Sequence, residues 1–299
     1  PPRSTLFPYT TLFRSPFSER IKSLNATSDH QEIAYLLVCH VFPWDTERAL
    51  ELALFRTFAI PSISRLTAST GELANRPRKR YDDTELILFE ILEHGYDSER
   101  AKRAFNRMNK MHGSYAISND DLLYVLSTFI FEPIWWNARF GWRPLRQNEK
   151  ESGFYFFREV GRRMGIRELP DDMDAFEAWS KAYAAKNARF TENNYRIGKP
   201  TLDLVLGFYL PKWLFPVGRP FLLALLDEAL VDNMGFRNPP GWIRKTMEVI
   251  MSVRKRIVAY LPERSKPKLG TRRRRPTYPE GYKIEEIGTF PQGDRKTET

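Results

Sequence analysis

The sequence predicts an all-α protein: one globular helical domain over residues 16–261, followed by a basic, largely irregular tail over 262–299. Three observations carry this reading. Apolar residues recur three and four apart along segments opened by Asp, Ser or Thr and closed by Gly or Pro. Strand-like alternation is scarce before the tail. With 299 residues, 42% of them hydrophobic and 14% aromatic, the chain has enough apolar side chains for a large core.

The first fifteen residues, PPRSTLFPYTTLFRS, do not fit this pattern. They hold a near-repeat, lack an initiator methionine and resemble translated sequencing-adapter sequence, so they are expected to be non-native, with the true N-terminus missing. Helices then follow in order. Residues 30–42 form an apolar run. Asp45 or Thr46 can cap a helix that reaches Ala59 and is stopped by Pro61. A loop from Ser69 to Lys79 carries Gly71, Pro77 and clustered Arg and Lys. Asp82 or Asp83 opens DDTELILFEILEH, closed by Gly95 as a left-handed cap. Asp97 or Ser98 starts the next helix, whose Ala101, Ala104, Phe105, Met108, Met111 and His112 share one face, and Gly113 ends it. Ser118 with Asp121 is an acidic variant of the capping box, and LLYVLSTFIF behind it is apolar nearly all round, which makes that helix central, with Pro133 as its stop. Further helices fit 147–164, 172–190, 192–209, 219–232 and 240–260.

Composition excludes several function classes. Cys39 is the only cysteine, so there is no intrachain disulfide, cysteine zinc cluster or CxxCH haem attachment. The longest apolar runs are IAYLLVCHVFPW and LLYVLSTFIF, shorter than the roughly 18 residues of a membrane span. The net charge of +10 is concentrated in RSKPKLGTRRRR, residues 264–275, and without its seven basic residues falls to +3. Such a tail reads as a solvated extension, or else as a contact for an anionic membrane or nucleic acid. There is no GxGxxG, GxxxxGK[ST], HExxH or GxSxG, and no pair of Glu-x-x-His for a di-iron bundle; EILEH sets Glu90 four residues before His94.

Only four histidines are present, so a site that needs a single imidazole is the one left open. Haem fits that description, being a wide apolar disc that one neutral histidine can hold, with carboxylates that call for Arg or Lys. His112 sits on the apolar side of its helix, and Arg80, Arg107, Arg139 and Arg143 are near in sequence. A packed, hydrogen-bonded core histidine is the competing reading of the same spacing.

The blocks ELALFRTFAIPSISRLTASTGEL, RPRKRYDDT, RMNKMHGSYAISNDDLLYVLSTFIFEPIWW, FGWRPL and EVGRRMGI, spread in order over about residues 45–245, resemble the MpaB-type oxygenases, which share a catalytic domain with the rubber oxygenases called latex clearing proteins. The resemblance implies a globin-like helical fold with non-covalent b-type haem and dioxygen as co-substrate. It also implies cleavage of carbon–carbon double bonds in an isoprenoid or other apolar alkene. His112 matches the family's iron ligand, and Arg80 and Thr84 match its Arg-x-x-x-Thr element. Rubber oxygenases carry a lysine just before that threonine, where this chain has Asp83, whose sign and reach differ. The catalytic positions expected from the resemblance are therefore Arg80, Asp83 and Thr84, with His112, Arg80 and Arg107 binding the cofactor; Glu72 lies near the family's acidic residue at a different spacing.

On this reading the pocket is lined by the helices at 82–94, 98–112 and 118–132, and loss of residues 262–299 leaves haem content intact. The alternative is a non-catalytic helical protein that binds an acidic surface, membrane or nucleic acid, through its tail. No specific nucleic acid is expected, a peripheral membrane contact is allowed, and cytoplasmic and membrane-associated locations both stay open.

Overall fold

A computed structural model describes residues 16–289, so the expectations for residues 1–15 and for the last ten lie outside the described residues. The all-α prediction holds: the described residues form fourteen α-helices and no strand. Three prolines set where helices start, and they account for the main departures from the expected boundaries. Proline fits the first turn of a helix, where its missing N–H is not needed and its fixed φ is already helical. Pro43 opens α3 (Pro43–Thr57), Pro61 opens α4 (Pro61–Ser69) and Pro77 opens α6 (Pro77–His94). Pro61 therefore begins a helix as well as ending one, and the stretch expected as a loop before Lys79 holds the short α5 (Glu72–Asn75) and the first turn of α6. Asp82 and Asp83 are not caps. They lie in the second turn, 0% and 2% exposed.

The segment 30–42 divides into α2 (His30–Leu36) and a π turn, Leu37–Val41, behind the N-terminal α1 (Pro16–Ser23). Gly95 has φ 76° and ψ 145°, positive but extended, and so is not a left-handed helical cap. Ser98 and Ser118 cap as expected, each accepting at 3.1 Å from the backbone N–H three residues on, and start α7 (Glu99–Gly113) and α8 (Asn119–Arg139). Asp121 does not complete a capping box; its carboxylate accepts instead from Ser62 and Tyr183. Nor does Pro133 end α8, which continues to Arg139 with Asn137 Nδ2 donating to the Pro133 carbonyl at 2.8 Å. Then come α9 (Gln147–Arg163), α10 (Met173–Asn187) and α11 (Glu192–Leu206). The helix expected at 219–232 is two, α12 (Phe215–Leu223) and α13 (Glu228–Asn233), because Asp227 caps a new start. The last is α14 (Gly241–Tyr260).

The central α8 packs on α3, α9 and α10, and the main core gathers side chains from α6 to α9, among them Leu86, Ile91, Phe131 and Phe156. The expectation of a solvated C-terminal extension is corrected. Residues 262–289 are irregular apart from a 3-10 turn, but they form a strap over α6 and α7. Ile284 and Ile287 enter the main core, and Gly270 lies so close to Phe89 that a Cβ there would sit 2.2 Å from its ring. Arg275, 3% exposed, reaches Asp82 at 3.3 Å and also pairs with Glu85. Arg273 bridges Glu47 and Glu85, and Lys268 adds 2.9 Å to Glu47. The strap thus supplies cations to acids that helix packing removes from water, which unpaired would be costly.

Candidate cofactor and substrate site

Because α6 starts at Pro77, its basic first turn stands four residues before an acidic and hydroxylic second turn. Three successive i, i+4 pairs result: Arg78 with Asp82 at 3.0 Å, Lys79 with Asp83 at 2.7 Å, and Arg80 with Thr84. They face different ways. Asp83 is turned to the strap, where it also accepts from the Tyr278 hydroxyl. Arg80 and Thr84 are turned to a cavity, with the Thr84 hydroxyl donating back to the Arg80 carbonyl at 3.0 Å. Expected as neighbours in one site, Asp83 and Thr84 are therefore separated by the helix, and Asp83 does not line the cavity.

Arg80 makes no ion pair among the described residues, although burial lowers its pKa and Asp83, Glu72 and Tyr115, acting at longer range, favour its charge. A buried guanidinium without a carboxylate is a strong anion receptor. Across from it, Glu72 pairs with Arg76 at 2.5 Å through one oxygen, while its other oxygen is buried with no hydrogen bond.

His112 stands in the last turn of α7, close enough to Arg80 for that charge to act on it. Burial first, and Arg80 second, push its imidazole pKa down to about 4, so the ring is neutral at physiological pH. Neither ring nitrogen has a hydrogen-bond partner among the described residues. The other three histidines all do. His30 contacts Tyr96 and Thr27, His40 the Arg264 carbonyl at 2.8 Å, and His94 the Glu90 carbonyl at 3.2 Å. A packed core histidine would show the same satisfaction; His112 does not. Arg107, five positions back and so about 140° round the helix, donates through Nε to the Ile287 carbonyl at 2.5 Å and holds the strap. Arg143 is taken by Glu149, and Arg139 lies against Glu248 and the Leu225 carbonyl.

The cavity has a volume of about 690 Å³ and is almost wholly apolar. It differs from the expected pocket. Its walls come from α3, α6, α11, α12 and α14; α7 contributes no lining residue and α8 only Trp136. The polar side chains in its lining are the Arg80 and Thr84 pair and a second cluster of Glu51, Tyr81 and Arg48. The Glu51 carboxylate accepts from the Tyr81 hydroxyl and from Arg48 Nη2, both at 2.6 Å. Burial nevertheless raises its pKa to about 7, with Arg48 and Tyr81 opposing and Glu85 and Glu47 reinforcing the shift. Sequence reasoning missed Glu51: in ELALF it reads as one more polar position on an amphipathic helix.

Among the described residues no three His, Cys, Asp or Glu side chains converge as a metal site. What is assembled is a neutral imidazole near a guanidinium without a carboxylate; the guanidinium lines the large apolar hollow and the imidazole does not. These donors fit haem.

Comparison with known proteins bears on the same residues. Residues 48–256 match the family model described as ER-bound oxygenase mpaB/B'/rubber oxygenase, catalytic domain. The chain belongs to this family. It is similar to the ER-bound oxygenase mpaB' of Penicillium brevicompactum, 31% identical over 239 residues, which are 74% of this chain and 56% of the relative. To the ER-bound oxygenase mpaB of Penicillium roqueforti (strain FM164) it is 32% identical over 211 residues, 64% of this chain and 70% of the relative. Relative to mpaB' the chain spans little more than half the length. The matched span contains α6, α7 and every residue lining the cavity except Trp44. Among the described residues, no helix is long and apolar enough to cross a membrane.

Proposed function

We propose that the protein is a haem-dependent oxygenase that cleaves carbon–carbon double bonds of an isoprenoid or other apolar alkene with dioxygen, leaving two carbonyl ends. The observation that carries this reading is His112: of four histidines it alone has both ring nitrogens without a partner among the described residues, and it stands near Arg80, which makes no ion pair among them. When bound, b-type haem would supply the binding and activation of dioxygen. His112 would hold the iron through a ring nitrogen, and Arg80 would receive a carboxylate of the macrocycle or steady negative charge developing on oxygen. Thr84 keeps the Arg80 guanidinium aimed into the cavity. The apolar walls exclude water and position a substrate with few polar handles. Family membership and the relatives' description as oxygenases support the reading.

Glu51 adds a proton-handling group. Its carboxyl, Oε1 held by Tyr81 and Arg48, titrates near neutrality in the cavity wall and can accept a proton from a reacting carbon skeleton in the cavity. Since the folded pKa is raised, the carboxylate form grows as pH rises through about 7. Turnover limited by this base is therefore expected to climb between about pH 6 and pH 8, and Glu51→Gln to lower it by about a hundredfold with a flat profile in that window. Unchanged turnover in that variant would remove Glu51 from the mechanism. The reading as a whole is tested by the visible spectrum of the purified protein before and after reduction, and by product analysis of isoprenoid alkenes under dioxygen. The rival reading, binding to an acidic surface through the tail, is weakened by the engagement of Lys268, Arg273 and Arg275 within the chain.

A further inference from the structure

The side of the molecule formed by α12, α14 and the turn before α12 carries most of its exposed large apolar residues. Trp213, Val217 and Tyr209 are 77%, 61% and 56% exposed; on α14 so are Trp242 (64%), Val249 (56%), Ile250 (49%), Val253 (49%), Ile257 (56%) and Tyr260 (83%). The two helices are adjacent, with the Phe221 and Trp242 rings 6.3 Å apart, so this is one patch. Soluble surfaces scatter such side chains singly.

Helix α14 has three sides. Ile243, Met247, Met251 and Arg254 face the protein. The exposed apolar residues, at helical spacing, cover a sector about 120° wide next to it. Beyond that sector lie Lys245, Lys255 and Arg256, which make no ion pair among the described residues. An exposed apolar stripe flanked by unpaired cations is the pattern of a helix lying in a membrane interface, its apolar side among acyl chains and its cations at anionic headgroups. Two exposed tryptophans on the patch suit the boundary between headgroups and chains.

The patch also surrounds the mouth of the cavity: Tyr209, Val217 and Ile250 are both exposed and part of its lining. We infer that this face docks on an anionic phospholipid surface, with the cavity opening into the acyl layer so that an apolar substrate enters without crossing water. Docking stands on the exposed face alone; the route of entry rests on the cavity being the substrate site.

The test is sedimentation of the full chain with vesicles of phosphatidylcholine, with and without phosphatidylserine. Stronger binding to the vesicles containing phosphatidylserine is expected, weakening as salt is raised. The triple variant Trp242→Ser, Val253→Ser, Ile257→Ser should lose at least about tenfold in partitioning. Lys245→Glu with Arg256→Glu should lose about fivefold per residue on phosphatidylserine only. All five side chains are off the cavity lining, and thermal unfolding of each variant shows that the fold persists. Wild-type protein that stays in the supernatant, or variants that bind equally well, overturn the inference. So does a dimer in solution that the triple variant makes monomeric and that ignores vesicles, since the face would then join two copies. A haem spectrum recorded beside these assays separates failure of docking from failure of the oxygenase reading.

Discussion

Replacing His112 by alanine is expected to give a folded protein that no longer retains haem, with haem content after purification lowered by at least about tenfold and the Soret band correspondingly absent. The structure makes this a clean experiment. His112 is only partly buried, in the last turn of α7, and its side chain makes no hydrogen bond to a described residue, so truncation leaves no orphaned group in the core. Its cost in folding stability should stay near that of a surface change, within about 0.5 kcal/mol. His30→Ala, His40→Ala and His94→Ala serve as controls. Each loses a hydrogen bond that the structure shows, and each should keep its haem. Imidazole added to the His112 variant should restore part of the spectrum, because the hollow left by the side chain can admit it. Arg80→Leu should weaken retention without abolishing it, and Arg80→Lys should recover part of that loss, since charge is kept but the bidentate fork is not. A His112→Ala protein with full haem and an unaltered spectrum would remove the ligand assignment and return this side chain to ordinary packing.

Much of the site was legible because its residues sit on strongly periodic helices. The Ser98 cap, the apolar face from Ala101 to Met111 and the Gly113 end place His112 on α7 without any structure. The Arg80 to Thr84 spacing is a helical spacing, although its meaning depends on α6 beginning at Pro77 rather than at Asp82. Tertiary position was not legible. Asp83 and Thr84 are neighbours in sequence, yet one faces the strap and the other the cavity. Arg107 and His112 share a helix but not a face. Most of the cavity wall comes from residues 201–251, in α11, α12, α14 and the turns between them, far along the chain from the motif that marks the site, and local periodicity does not say which distant helices meet. Glu51 was hidden for a related reason: its pKa is set by burial and by Arg48, Tyr81, Glu85 and Glu47 around it.

Arg275→Ala is expected to cost about 3–5 kcal/mol, the range for removing one partner of a buried ion pair. In linear view Arg275 ends a basic run that reads as solvated, and deletion of residues 262–299 was expected to leave haem content unchanged. The contacts of the strap argue for the opposite outcome. The Arg275 side chain is 1% exposed and its partners Asp82 and Glu85 are 0% and 10% exposed, while its other amino group donates to the Gly270 carbonyl at 2.9 Å. Truncation takes one cation from two buried carboxylates; Arg78 still reaches Asp82 and Arg273 still reaches Glu85 at 3.2 Å, which limits but does not remove the cost. The same helix presents Arg80 and Thr84 to the cavity, so loosening it should also lower haem retention, and deletion of the strap should do so further by uncovering Ile284 and Ile287's place in the core. Denaturant unfolding measured alongside haem content tests both links, with exposed Lys266→Ala as the neutral control. A double variant, Arg275→Ala with Asp82→Asn, should cost less than the sum of its single changes, because the second substitution removes a charge that the first leaves with one cation fewer. Strict additivity would mean that Arg275 stabilises the strap by packing alone, and that α6 carries its buried acids without help from the tail.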